Sequence, residues 1–187
     1  MQATIKIPVG KLNDSFIKDM KEKYGDAELE ITINQKPDFQ PLSENDFWRI
    51  IDLLDWNEDN NQAIIEPVVN ELSSLPVVQI YGFQEILSQK LYQLDQEKFA
   101  KHIGQYSYKK EEYFSVDHFL YSRACVIANG KEAFEDIVKN PKEMFKDLTF
   151  EPLLIIASKA YERKTGNQFI YVPSHRYETY SNQEGWQ

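Results

Sequence analysis

His175 and Glu178 stand three residues apart in the stretch Ser174-His-Arg-Tyr-Glu-Thr-Tyr-Ser-Asn-Gln-Glu-Gly-Trp-Gln187. An imidazole and a carboxylate are the side chains that most readily exchange a proton near neutrality, so the two are candidates for an acid/base couple. Earlier in the chain, Asp117, Tyr121 and Arg123 fall within two turns of an apolar helical pattern. Arg123 lies one turn from Phe119 and one turn from Ile127, which aims its guanidinium at the apolar side. A buried guanidinium needs a carboxylate or several carbonyls, and Asp117, Glu151 and Glu178 are the expected partners. In one reading Arg123 is structural glue. In the other, Arg123, Asp117 and Tyr121 floor a pocket for a small polar or cationic ligand, with the stretch after residue 174 as its lid.

That stretch also carries Tyr177, Tyr180, Asn182 and Trp186, which combine large planar groups with donors and acceptors, the mixture enriched at protein interfaces. Chain ends ordinarily run to small, disordered residues, whereas these aromatics cover much apolar area and keep a polar handle. The segment is therefore expected to clamp the helices as an arm or to complete a recognition surface for another protein.

Much familiar chemistry has no signature here. The seven glycines are too scattered to cradle a phosphate, the three histidines lie sixteen or more residues apart, and one cysteine cannot build a zinc knuckle, so no cofactor and no metal are expected. No nucleophile elbow is present. With 30 acidic against 21 basic residues the net charge is -9, which disfavours nucleic acid and suits a basic partner surface. Cys125, in an apolar pattern, reads as a small buried hydrophobe, and an unpaired thiol fits the cytoplasm. No run of about 18 apolar residues is present, so no membrane span is expected.

The elements that must position these groups follow from periodicity. Residues 3–9 and 28–33 alternate as strands, with Phe16, Ile17, Met20 and Tyr24 at helical spacing between them, Asn13 as cap and Gly25 as stop. This gives a small β-α-β unit over residues 1–36, whose strand edges could pair with a second copy to make a homodimer. After the proline-bearing residues 34–42, Ser43 caps a helix through Phe47, Trp48, Ile50, Ile51 and Leu54. A second stripe runs from Ile64 to Leu72, with Pro67 expected in its first turn, and Pro76 opens the longest helix. Tyr113–Ile127, Lys131–Val138 and Phe150–Lys164 give three more, and Phe169-Ile-Tyr-Val172 reads as a short strand. The expected class is mainly α within α+β: a multi-helix domain over residues 43–187, preceded by the β-α-β unit and closed by a short strand and arm.

The motifs Asp117-His-Phe-Leu-Tyr-Ser-Arg123, Val126-Ile-Ala-Asn-Gly-Lys131, Phe150-Glu-Pro-Leu-Leu154, Ala160-Tyr161, Lys164-Thr-Gly166, Tyr177-Glu-Thr-Tyr-Ser-Asn182 and Gly185-Trp186 together resemble the bacterial family catalogued as domain of unknown function 4240. Phe47-Trp-Arg-Ile-Ile51 and Leu91-Tyr-Gln-Leu-Asp95 extend the likeness over residues 43–187. It implies a bacterial, mostly helical domain and carries over no catalytic residue. The leader is similar to the strand-helix-strand leaders of some antitoxin-type proteins. The reading these features favour is a non-catalytic protein-binding module, an immunity or antitoxin-like neutraliser; the alternative is an enzyme or sensor using the pocket at Arg123.

Overall fold

Asn13 opens the first described helix, α1 (Asp14–Tyr24), by accepting a hydrogen bond from Phe16 N at 3.0 Å, and Gly25 closes it at φ 49°. The computed structural model describes residues 12–25 and 41–187. The chain divides into two units, Met1–Pro37 and Asp38–Gln187. The segments read as strands at 3–9 and 28–33 lie outside the described residues, as does any edge-paired dimer built on them.

In the second unit the side chain of Ser43 accepts from Asp46 N at 3.1 Å and starts α2 (Glu44–Ile51). Asn60 does the same for α3 (Asn61–Ser74), accepting from Ala63 N at 2.9 Å. Because Asn60 is the cap, Pro67 sits inside α3 and not in its first turn; its missing N–H leaves the Ala63 carbonyl without its helical donor. Then follow α4 (Val77–Gln93), the short α5 (Glu97–Ala100), α6 (Val116–Ala128), α7 (Gly130–Lys139) and α8 (Ile156–Thr165), with single 3-10 turns at Pro141–Glu143, Glu151–Ile155 and Gln183–Trp186. The helix expected from Phe150 begins as one of these 3-10 turns and becomes α8 only at Ile156.

Apolar residues encircle α6 and nearly encircle α4, and helices of that kind are buried at the centre of a bundle. Phe119, Ala124, Val126 and Ile127 of α6 have no exposed surface, nor have Ile80, Phe83, Leu87 and Leu91 of α4. Around α4 pack α2, α3, α6 and α8, with α3 and α8 paired most extensively. Arg163 ties that pair together by two hydrogen bonds to Glu66, at 2.8 and 3.0 Å.

Among the described residues there is no strand or sheet, which corrects the expected α+β class to a helical one. The correction is most informative at residues 169–172. Phe169 and Tyr171 turn inward onto Tyr81, with ring centroids 6.0 and 4.6 Å apart, while Ile170 and Val172 remain 80% and 83% exposed. The alternation that reads as a strand is real, but it arises from an extended chain lying on helices with no second strand to pair with. From Phe169 to Trp186 this arm travels along α4 in the same direction as the helix, meeting Tyr81 first and Gln96 last.

Tyr81 sits between Tyr161 at 5.8 Å and Tyr171 at 4.6 Å. Burial, then the Tyr161 hydroxyl, pushes the Tyr81 phenol from 10.0 up to about 12. A folded-state value above the unfolded one stabilises the fold fully below pH 10 and loses that contribution as pH rises through about 12. The urea midpoint is accordingly expected to fall between those two values, and Tyr81→Phe to blunt the fall. A midpoint equally pH-dependent in the variant would show that the stack does not carry the effect.

Candidate functional site

The charged centre of the fold is Asp95, just past the end of α4, whose backbone N–H donates to Tyr92 O at 3.0 Å. Its carboxylate has no exposed surface and is surrounded by donors from the arm. Oδ1 accepts from Tyr180 N at 3.2 Å and from the Trp186 indole at 3.1 Å, and Oδ2 accepts from Asn182 N at 2.9 Å. Tyr180 adopts φ 76°, an uncommon conformation for an aromatic residue, and the carboxylate accepts the N–H groups on either side of that bend. Gly185 is required beside it: a Cβ there would stand 2.3 Å from Gln96 Cγ and 3.1 Å from the Asp95 carbonyl.

Arg123 reaches the same place from α6. Its Nη1 donates to Leu91 O at 2.8 Å and Tyr177 O at 3.0 Å, and its Nη2 donates to Thr179 Oγ1 at 3.0 Å and lies 3.9 Å from Asp95 Oδ1. The Thr179 hydroxyl in turn donates a hydrogen bond to Val116 O at 2.7 Å. The guanidinium covers the Phe119 ring at 4.8 Å, and Nε is buried without an acceptor. Burial lowers the Arg123 pKa to about 10 against the pull of Asp95 and Glu178, so the group stays charged at neutral pH. Its carboxylate is Asp95, and not Asp117, Glu151 or Glu178.

Trp186 fills an aromatic recess, with ring centroids 4.5 Å from Tyr180, 5.4 Å from Tyr108, 5.7 Å from Phe119 and 6.0 Å from Phe114. Asn182 is buried and adds a bond from Nδ2 to Tyr92 O at 3.2 Å. The half-buried Tyr177 ring has its phenol pushed up by burial and by Glu178, with Gln84 opposing. A second clasp lies upstream, where Glu85 of α4 accepts from Tyr171 Oη at 2.5 Å, from Ser174 N at 2.9 Å and from Ser174 Oγ at 2.6 Å. Burial works against the Glu85 carboxylate, yet these bonds hold it below the usual range.

The remaining candidates are not brought together. His175 meets Ser174 Oγ at 2.9 Å and the edge of Tyr92, while Glu178 is exposed and accepts only from Ser181 Oγ at 3.4 Å. Glu151 and Asp117 both lie near the Tyr121 hydroxyl, whereas Arg123 looks toward α4 and the arm, so Tyr121 and Arg123 share a helix and point to different neighbours. Arm backbone fills the space over Arg123. Burial pushes the Cys125 thiol up to about 11, away from the thiolate a nucleophile requires. Among the described residues no group of three His, Cys, Asp or Glu is placed to hold a metal ion, and no helix is long and apolar enough to cross a membrane.

Asp95, Glu85, Ser174 and Thr179 are absent from the sequence-derived candidates. Asp95 follows the apolar run Leu91-Tyr-Gln-Leu and reads as an ordinary polar helix end; only its place in a motif set it apart.

Fold and site together define a helical bundle whose central Arg/Asp pair anchors a C-terminal arm. The chain belongs to the family described as protein of unknown function DUF4240, matched over residues 42–163. The match covers Asp95 and Arg123 and stops before the arm that docks on them. No curated protein and no solved structure matches.

Proposed function

We infer that the chain is a non-catalytic protein-binding module that recognises a basic partner surface, as a neutraliser of the immunity or antitoxin kind would. One observation carries this reading. Tyr113 is 94% exposed, and with it Tyr106 at 49%, Tyr180 at 44% and Val116 at 41% lie around the start of α6. Contacts tie three of them to the start of α6: the Tyr106 ring lies tilted against His118 at 4.3 Å, Thr179 bonds to Val116 O, and Tyr180 meets Phe114 at 6.5 Å, while Tyr113 immediately precedes Phe114 in the chain. Exposed tyrosines are the usual anchors of recognition surfaces; Glu112 is paired with Lys109 at 3.2 Å, and Asp117 and Glu178 nearby favour a cationic partner. The polar groups best suited to chemistry, Arg123 and Asp95, are occupied by structural bonds. A single unpaired buried cysteine fits a cytoplasmic setting.

The test is capture of partners from the host by the whole protein, against a Tyr106→Ala/Tyr113→Ala variant. Both rings are exposed, so the variant should stay within about 0.5 kcal/mol of the parent stability. A partner bound at least about tenfold more weakly by the variant, and released as salt rises, supports the reading. Identical capture by parent and variant sinks it.

A further inference from the structure

We propose that the recognition surface at the start of α6 opens with acid: when the His118 imidazole takes up a proton, the Tyr106 ring leaves it and loop 104–107, which carries that ring, comes away from Asp147. The inference rests on the recognition surface proposed above only for its consequence, release of a partner held at Tyr106 as pH falls. His118 occupies the first turn of α6, and the Tyr106 ring covers it with centroids 4.3 Å apart. Its Nε2 is shut away from solvent without a hydrogen-bond partner. In an imidazolium both ring nitrogens carry a proton, so protonation in place would leave an N–H buried with no acceptor. The Tyr106 ring face attracts a cation, yet supplies no acceptor in place of the water lost. The unpaired N–H groups of the helix start oppose a positive charge at the same point.

The groups around the imidazole decide what moves. Tyr106 faces it from the loop and the Asp147 carboxylate acts on it from the segment before Phe150, while Asp117, beside it on α6, is exposed. Burial holds its pKa below the usual 6.5, with Asp147 pulling the other way. The same carboxylate fastens the loop: Oδ1 accepts from Gln105 N at 2.7 Å, and Asp147 N donates to Ile103 O at 3.0 Å. A charged His118 therefore has two outlets, water and Asp147. The first requires Tyr106 to lift, and the second draws Asp147 away from Gln105, so each undoes a fastening of one loop. Tyr108 N donates to Ala100 O at 2.8 Å and marks where the movement stops. Because the folded-state value is the lower one, the closed loop is fully favoured above pH 6.5 and loses that support as pH falls through the folded-state value.

The whole protein is followed by NMR from about pH 8 to about pH 5, reading the His118 and Tyr106 rings and the backbone amides. Expected are a His118 midpoint below 6.5, ring-to-ring nuclear Overhauser contacts that disappear with that midpoint, and Gln105 and Tyr106 amides that shift with it while those of α3 and α8 stay fixed. In His118→Gln, uncharged throughout, the Gln105 and Tyr106 amides should stay flat over the same range. A His118 midpoint at or above 6.5 overturns the proposal, as do ring contacts that persist in the charged form or loop amides that titrate with the same midpoint in His118→Gln. Titration of the wild type needs neither a partner nor a variant. A failure of partner capture with the NMR result intact therefore removes the recognition surface and leaves the acid-opened loop standing.

Discussion

Asp95→Ala is expected to destabilise the fold by about 3–5 kcal/mol, because it removes the buried carboxylate that lies 3.9 Å from a fully buried guanidinium. Two backbone N–H groups and the Trp186 indole lose their acceptor in the same step. Small domains have only about 5–15 kcal/mol in hand, so the loss should appear as a large fall in urea midpoint. Removing both charges separates the two contributions. In Asp95→Leu/Arg123→Met no charge is left unpaired, so the double variant should be more stable than the sum of the single losses by about 1–3 kcal/mol. It should still fall short of the parent, since the three arm donors remain without a partner. An Asp95→Ala loss under about 1 kcal/mol would mean that water reaches Arg123 and the clasp is not a buried one.

Trp186→Ala should cost about 2–4 kcal/mol through loss of packing against Tyr180, Tyr108, Phe119 and Phe114 together with the bond to Asp95. Trp186→Phe keeps most of the ring contact and forfeits the indole N–H, so about 1 kcal/mol is expected. Proteolysis localises the effect. Arg176 lies in the arm, and trypsin should cut there faster as Trp186 is trimmed, before the helices unfold. Cleavage at Arg176 equally fast in parent and Ala variant would show that the indole does not hold the arm down.

The parts of this fold that can be read from the sequence are those governed by near neighbours. Asn13 and Ser43 cap their helices because an oxygen three residues away is a local matter, and the stripe Phe47, Trp48, Ile50, Ile51 buries as its spacing requires. Arg123 stands in a similarly local pattern, between Phe119 and Ile127, and its side chain is wholly enclosed. Its carboxylate partner could not be read, because Asp95 and Arg123 are brought together only by the packing of α4 on α6. Likewise, alternation at Phe169–Val172 reports which side chains face a surface and does not report whether that surface is a sheet or a row of helices. Pro67 lies inside α3 for a simpler reason: Asn60, seven residues earlier, takes the cap.

The order of synthesis gives the Asp95 clasp a consequence in time. Tyr180 follows its anchor by 85 residues and Trp186 by 91. At ribosomal speeds of about 5–20 residues per second, Asp95 emerges roughly 4–18 s before its partners exist. Through that interval the α4 and α6 segments carry opposite charges that the finished core leaves no water to solvate. Helix formation, by contrast, takes about a microsecond. The nascent bundle therefore spends most of its assembly open at its charged centre, and sealing of that centre waits on translation of the arm rather than on folding.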